Sequence, residues 1–418
     1  MNVKKVPLFA WILLAIVLAV IAGQFFPVPL ARVFFTFNSI FGTFLGFVIP
    51  LIIIGLVTPA IAELGSGSGK WIAITAGVAY LSTMIAGFST WGVSQLVLPS
   101  FLTGSMVEEL SGDSTLNLTS YVSFTNSSSG DGMEIVVEPL MGVMTALVLA
   151  FILGLGLTLV KGNIVKRGFE EFRVIIVAMI EKILIPFLPL HIFGIFLNLT
   201  MSGDVGRVLG TFLVVVILTF SMTIIYLLFE FTVAGAIAGK NPLKALWNMK
   251  EAYFTALGTS SSAATIPVTL QCAEKNGVSQ AVRSFTIPLG ATIHLSGSTI
   301  KIVGFSLAIM FLSGADTALG VYAPFIFMLG IMMIAAPGVP GGAIAAAAGL
   351  LASMLGFNEA EVGLMFATYI ALDSFGTAAN VTGDGAIAMI IDKVTRGRLG
   401  ASEKADDEQR PATETAAV

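Results

Sequence analysis

Eight apolar runs, near residues 7–26, 38–62, 71–99, 138–160, 174–199, 206–238, 284–313 and 360–392, constrain this chain more than any single motif in it. Each can cross a hydrocarbon layer of about 30 Å as a helix, which takes roughly 20 apolar residues. Composition agrees, with 56% hydrophobic and 11% charged residues against roughly 25% charged in ordinary globular domains. The expected architecture is an all-α polytopic membrane protein with eight transmembrane helices. The net charge of −4 says little, because orientation depends on where Lys and Arg fall. With the N-terminus inside, the inside segments collect Lys4, Lys5, Lys70, Lys166, Arg167 and Lys240 among others, and the outside ones hold only Arg32 and Arg207. A multi-pass protein of the cell membrane, with both termini cytoplasmic and no nucleic-acid partner, is expected. The first run exceeds the roughly 7 to 15 residues of a signal-peptide core, so it reads as a retained helix. The single cysteine, Cys272, excludes an intramolecular disulfide, and two histidines, His191 and His294, argue against a zinc centre.

Two further apolar stretches are interrupted at their midpoints. Residues 245–280 contain Thr259, Ser260, Ser261 and Ser262; residues 321–355 contain Pro337, Gly338, Val339, Pro340 and Gly341. Neither half of either stretch is long enough to span, and Gly, Pro and Ser at the centre favour a turn. Both read as re-entrant helical hairpins, the alternative for each being one long kinked helix. Hairpin plus helix then occurs twice in opposite orientation, over 245–313 and 321–392. Inverted repeats with interrupted helices are the architecture of secondary transporters, with the site near the membrane midplane.

The last run carries Asp373, Thr377, Asn380 and Asp384, spaced so that one helix through 364–391 presents them as a single polar stripe. An ionised carboxylate at bilayer depth costs on the order of 3 kcal/mol on insertion scales, so such residues face a cation, a substrate or a partner charge. In the seventh run His294, Ser298 and Lys301 share the same kind of spacing and are expected on one helix face. Lys301 needs a counter-ion, which Asp373 or Asp384 could supply; the bland reading is a charge pair that only locks two helices. Short helices at the hairpin tips offer N–H groups to a carboxylate, and unwound carbonyls suit a cation. Ser261 and Ser262 add hydroxyls there, and Gly338 and Gly341 allow close backbone approach. Glu230 is an acid in the sixth run with no assigned role.

These residues resemble the dicarboxylate/amino acid:cation symporter family, the glutamate transporter homologues. The resemblance rests on the serine-rich first hairpin (260–267), Pro288-Leu289-Gly290-Ala291-Thr292-Ile293, Gly338-Val339-Pro340-Gly341 and Asn380-Val381-Thr382-Gly383-Asp384. It implies a homotrimer of the glutamate-transporter-homologue fold, in which scaffold helices (1–65 and 138–200) hold a moving transport unit (66–100 and 201–395). Residues 101–137 would form an extracytoplasmic loop and 396–418 a cytoplasmic tail. It further implies that Asp373 holds a substrate α-ammonium, that Thr377 and Asn380 are substrate ligands, and that Ser261, Ser262 and the second tip (Gly338, Val339, Pro340, Gly341) complete the site. Asp384 with carbonyls of Gly290 and Asn380 resembles one sodium site, and Thr292 with the second tip resembles another. A deeper third site would use Tyr80, Thr83, His294 and Ser296.

Three departures bear on function. Acidic-substrate members carry arginine at the position of Gly376, so its loss points to a small neutral amino acid such as serine, threonine or alanine. His294-Leu295-Ser296-Gly297-Ser298 stands where the family has Asn-Met-Asp-Gly-Thr, which removes sodium ligands. Lys301 adds a fixed positive charge, so fewer sodium ions are expected, with protons at His294 or Lys301 as the replacement. The leading expectation is a cation-coupled symporter and not an enzyme. The alternatives are a proton-coupled or other carboxylate transporter of the same fold, or a channel; an intramembrane hydrolase using Ser261 or Ser262 lacks a base of known geometry.

Overall fold

The computed structural model describes residues 8–65, 69–101, 122–123, 133–134, 139–160, 162–203, 205–336 and 340–395. The 101–137 loop apart from residues 101, 122–123 and 133–134, the tail, and Gly338 and Val339 of the second tip lie outside the described residues. The chain is helical almost throughout, because in a water-free layer backbone N–H and C=O groups must satisfy one another within the segment. In order the helices are α1 (Leu8–Ala22), α2 (Val28–Gly65), α3 (Gly69–Phe101), α4 (Val143–Leu159), α5 (Ile164–Met179), α6 (Ile185–Met201), α7 (Val205–Ala238) and α8 (Pro242–Asn248). Then come α9 (Lys250–Thr259), α10 (Ser262–Lys275), α11 (Gln280–Ile293), α12 (Ser296–Leu312), α13 (Leu319–Ala335), α14 (Gly342–Leu355), α15 (Glu359–Ala371) and α16 (Asp373–Thr395). Two residue pairs, Val122–Ser123 and Met133–Glu134, form a minimal parallel ladder.

Among the described residues five segments are long and apolar enough to cross a membrane, and the bent pair α15–α16 makes a sixth. The first and fourth expected spans are shorter apolar helices, Ala10–Ala22 and Thr145–Leu159. Between α5 and α6 the chain makes a π-helical turn, Ile180–Leu184, just before Pro186. Proline lacks the N–H that the carbonyl four residues earlier would need, so a widened turn upstream is its natural accommodation. Glu181 and Lys182 are exposed on that turn.

Both interrupted stretches turn back where the small and polar residues predict. Between α9 and α10, Ser260 adopts the left-handed conformation (φ 51°), the only non-glycine to do so among the described residues. The Ser261 side chain then accepts from the Ala264 N–H at 3.3 Å and caps α10. A serine cap is worth about 1 kcal/mol and satisfies a donor that the turn would orphan. In the second stretch Gly341, also left-handed (φ 73°), begins α14.

Two expectations about continuous helices need correction. The stripe-bearing helix does not run through 364–391: α15 and α16 meet at Leu372 with a bend of 63°. Asp373 thereby becomes the first residue of a new helix, where a carboxylate is favoured by the positive dipole end. Nor does His294 share a face with Ser298 and Lys301, because the seventh span opens at His294 (φ −100°, ψ 103°) and Leu295 before α12 begins. The two halves therefore repeat one order: hairpin, helix, break, helix.

The second half of the repeat is centred on α16, which packs against α7, α9, α10, α11 and α12. Its crossing with α12 depends on glycine. A Cβ on Gly297 would lie 2.7 Å from the Ala379 Cβ and 2.8 Å from the Gly376 carbonyl oxygen, both closer than real atoms sit. Small residues at such crossings let backbones approach closely in membranes. We expect Gly297→Val to force α12 and α16 apart and to cost about 1–3 kcal/mol of stability. A lowered thermal midpoint of the purified protein by size-exclusion fluorescence checks this, and an unchanged midpoint refutes the crossing.

Candidate functional site: charged and polar groups at two helix breaks

Asp373 is buried, with 7% of its surface exposed, at the junction of α15 and α16. Its Oδ2 accepts the Gly341 backbone N–H at 2.9 Å, so the described tip of the second hairpin is latched onto this carboxylate. Its Oδ1 lies 3.7 Å from the Lys301 ammonium, which arrives from α12. Lys301 is held chiefly by other groups: it donates to the Leu372 carbonyl at 3.1 Å and sits 3.9 Å over the Tyr369 ring. Of the two counter-ions weighed for Lys301, the structure selects Asp373.

Thr377 bonds back to the Asp373 carbonyl at 3.0 Å and stays on the stripe. Asn380 does something the spacing did not foretell. Its Oδ1 accepts the Gly297 N–H at 2.8 Å, and its Nδ2 donates to the Ser298 hydroxyl at 3.0 Å, so it caps the start of α12 from a neighbouring helix. The Tyr369 hydroxyl donates to the same Ser298 oxygen at 2.8 Å. Ser260, Ser262, Thr292, Ser298, Asp373 and Thr377 are among the residues facing one narrow cavity, with room for about 20 Å³ of water centres. The structure thus gathers Ser262, Asp373, Thr377 and Asn380 around one space, with Gly341 at the carboxylate. Ser261 serves as a helix cap.

A second cluster lies one to two turns further along α16. His294, wholly buried, places Nδ1 3.1 Å from Asp384 Oδ1 and Nε2 3.2 Å from Glu230 Oε1. Ser82 donates to Glu230 Oε1 at 2.5 Å and stands 3.0 Å from His294 Nε2, while the Tyr226 hydroxyl donates to the Ser82 carbonyl at 2.6 Å. The imidazole therefore bridges two carboxylates. Ser82, Tyr226 and Tyr369 were not found by sequence reasoning. Ser82 sits in an otherwise ordinary helix, and Tyr369 lies beyond the break that the periodicity hid. Tyr80 and Thr83 point elsewhere, to the Phe327 carbonyl at 3.2 Å and the Ala79 carbonyl at 3.0 Å. Neither is bonded to His294, and Thr292 bonds back to Leu289 at 2.8 Å. Ser296 is buried at the first turn of α12.

A sequence profile described as "Sodium:dicarboxylate symporter family" matches residues 8–394. The chain belongs to that family. It is accordingly a multi-pass membrane protein from a family of symporters, and sodium coupling is implied by the family. A "Serine/threonine transporter SstT" of Acinetobacter baumannii (strain AYE) is 26% identical over 399 residues, 93% of this chain and 97% of its own length. An "Excitatory amino acid transporter" of Caenorhabditis elegans is 28% identical over 288 residues, 67% of this chain and 56% of that protein. "Excitatory amino acid transporter 3" of Mus musculus is 34% identical over 161 residues, 38% of this chain and 31% of its own. The chain thus matches only about half or less of the length of these last two relatives.

Two positions can be tested against a sodium ion. At Gly290 a Cβ would come within 2.7 Å of Asp384 Oδ1, so this carboxylate lies against bare backbone; a carboxylate oxygen suits a hard cation, and the same Oδ1 also faces His294 Nδ1 at 3.1 Å. At the deeper position His294 brings nitrogen and faces carboxylates through both ring nitrogens, while the Tyr80 and Thr83 hydroxyls donate to the Phe327 and Ala79 carbonyls.

The space over Gly376 is occupied by Lys301, since a Cβ there would overlap the lysine's Cε and Nζ. An arginine at 376 therefore has to displace the ammonium end of the lysine. We expect Gly376→Arg alone to yield little folded protein, two cations and extra volume being forced into one buried space. Gly376→Arg with Lys301→Ala should recover monodisperse protein. Equal yields of the single and double variants would show that the two positions do not share the space.

Proposed function

We propose that this chain is a sodium-coupled symporter of a small neutral amino acid, of the serine, threonine or alanine type, working by alternating access. The observation that carries the reading is Asp373: a buried carboxylate on the cavity wall, bonded to a hairpin tip through one oxygen, with its other oxygen 3.7 Å from the nearest cation. Charge-assisted bonds between nitrogen and carboxylate close to about 2.7–2.9 Å, so Oδ1 keeps capacity for a substrate ammonium. Gly376 supplies no guanidinium for a side-chain carboxylate, and the relative that spans nearly the full length is named for serine and threonine.

The dimensions suggest the gate. Room for about 20 Å³ of water centres accommodates one or two waters and not an amino acid. Seating a substrate in this reading displaces the Gly341 N–H from Asp373, with Ser262 and the N-terminus of α10 offering donors to the substrate carboxylate. Sodium, when bound, supplies positive charge that offsets Asp384, held by that carboxylate and the backbone of Gly290. We further propose the scaffold and transport-unit division, and the homotrimer, as expected from the resemblance. A channel is disfavoured because, among the described residues, the buried charged groups gather at two helix breaks and form no ring around a pore.

A substrate with an additional, side-chain carboxylate is the second reading, favoured by the Lys301 ammonium over Gly376. Uptake of labelled L-serine and L-aspartate into proteoliposomes under an imposed sodium gradient separates the two. Concentrative, sodium-driven serine uptake with weak aspartate competition is expected, and the reverse preference would overturn the neutral assignment. Asp373→Asn should lower apparent serine affinity at least about tenfold, since hydrogen bonds to charged groups contribute about 1.5–3 kcal/mol. Unchanged affinity in that variant removes Asp373 from the site. With Asp384 as the one sodium position of this reading, initial uptake should rise hyperbolically with sodium concentration; a sigmoidal rise would show that further ions bind.

A further inference from the structure

Among the described residues Asp373 has a charge partner that the chain itself provides. Its Oδ1 faces Lys301, and this lysine is 3% exposed and anchored to the Leu372 carbonyl at 3.1 Å, with the Asp373 carbonyl at 3.5 Å and the Tyr369 ring beneath it. At the same time Oδ2 is closed by the Gly341 N–H of the hairpin tip. Both carboxylate oxygens thus find partners from the protein, in a conformation whose cavity is too small for an amino acid. The separation of 3.7 Å matters. It is short enough for strong Coulomb attraction in a low-dielectric interior, and too long for the direct bond that would block a second donor.

We propose that Lys301 is a tethered counter-cation that neutralises Asp373 when no substrate is bound, so that the empty carrier can recross the membrane without carrying an ion on that carboxylate. This rests on the transporter reading above. A symporter must return empty after each delivery, and an uncompensated carboxylate at bilayer depth is the costly species on that path. On loading, the substrate ammonium takes up the free capacity of Oδ1 and itself pairs with Asp373, so the loaded carrier has a partner for that carboxylate even without Lys301, whereas the empty one has only the lysine. Lys301 is here a positioning residue, acting through Asp373 and the Leu372 break. Its removal should affect the two halves of the cycle differently. Exchange of internal for external substrate uses only the loaded carrier, whereas net uptake also needs the empty one.

The test compares these two modes in proteoliposomes with radiolabelled L-serine. Net uptake is measured with sodium and serine outside and choline as the sole internal cation. Exchange is measured with sodium and unlabelled serine inside as well. Wild type should perform both. Lys301→Met and Lys301→Gln, the second keeping a donor for the Leu372 carbonyl, should keep exchange within about twofold and lose net uptake at least about tenfold, given the cost of an unpaired intramembrane carboxylate. Equal losses in both modes, or loss of both in the two variants, would make Lys301 a packing residue and overturn the proposal. So would a wild type whose net uptake requires a small inorganic cation inside, however the variants fold. Wild-type protein showing neither mode with serine or aspartate would instead overturn the transporter reading on which the proposal rests.

Discussion

The structure is organised by the problem of burying a carboxylate at depth in a membrane protein. Asp373 solves it with three contributions from three elements: the first turn of its own helix, the backbone N–H of Gly341 and the ammonium of Lys301. Each contribution requires a departure from regular structure. The helix must start at residue 373, so the span breaks; Gly341 must adopt a left-handed conformation; and α12 must approach closely enough for a lysine to reach across. The breaks and hairpins are thus less a feature of the fold than the means by which charge is accommodated at depth.

The second cluster follows the same logic with a different outcome. Asp384 and Glu230 would repel each other, and His294, freed from helix geometry by the opening at 294–295, is placed between them. A helical residue at that position would have pointed along the α12 face with Ser298 and could not have met both acids. Gly383 completes the arrangement, because a Cβ there would lie 2.7 Å from Glu230 Oε2. Irregular backbone is tolerated where it is buried among protein groups that use its freedom.

Much of this was legible in the sequence, for identifiable reasons. Apolar run lengths, the serine tip and the Gly-Pro tip depend on local chemistry, and the turns fall where Ser260 and Gly341 stand. The stripe of Asp373, Thr377, Asn380 and Asp384 survived because all four residues lie on α16, on one side of the break. What periodicity could not register were the breaks themselves, since neither Leu372 nor Leu295 is a helix breaker by composition. For the same reason His294 was assigned to the wrong face. The partners that decide its role, Ser82 and Glu230, come from helices far away in sequence, and no spacing rule connects them. The cap that Asn380 provides to α12 was equally invisible, because it satisfies donors exposed only by a break in another helix.

The shared space of Lys301 and Gly376 also bears on how sequences of this type can change. A guanidinium on α16 and an ammonium on α12 are alternative ways to put one positive charge beside Asp373, and the packing admits only one. A lineage passing from one arrangement to the other must cross an intermediate. If the new cation comes first, the intermediate is overfilled; if the old one goes first, it lacks the charge. The second intermediate is the more passable, because a vacated lysine position leaves a defect of side-chain size, whereas an arginine at 376 has to displace the lysine's Cε and Nζ. The favoured order of substitution therefore has loss of the lysine preceding gain of the arginine.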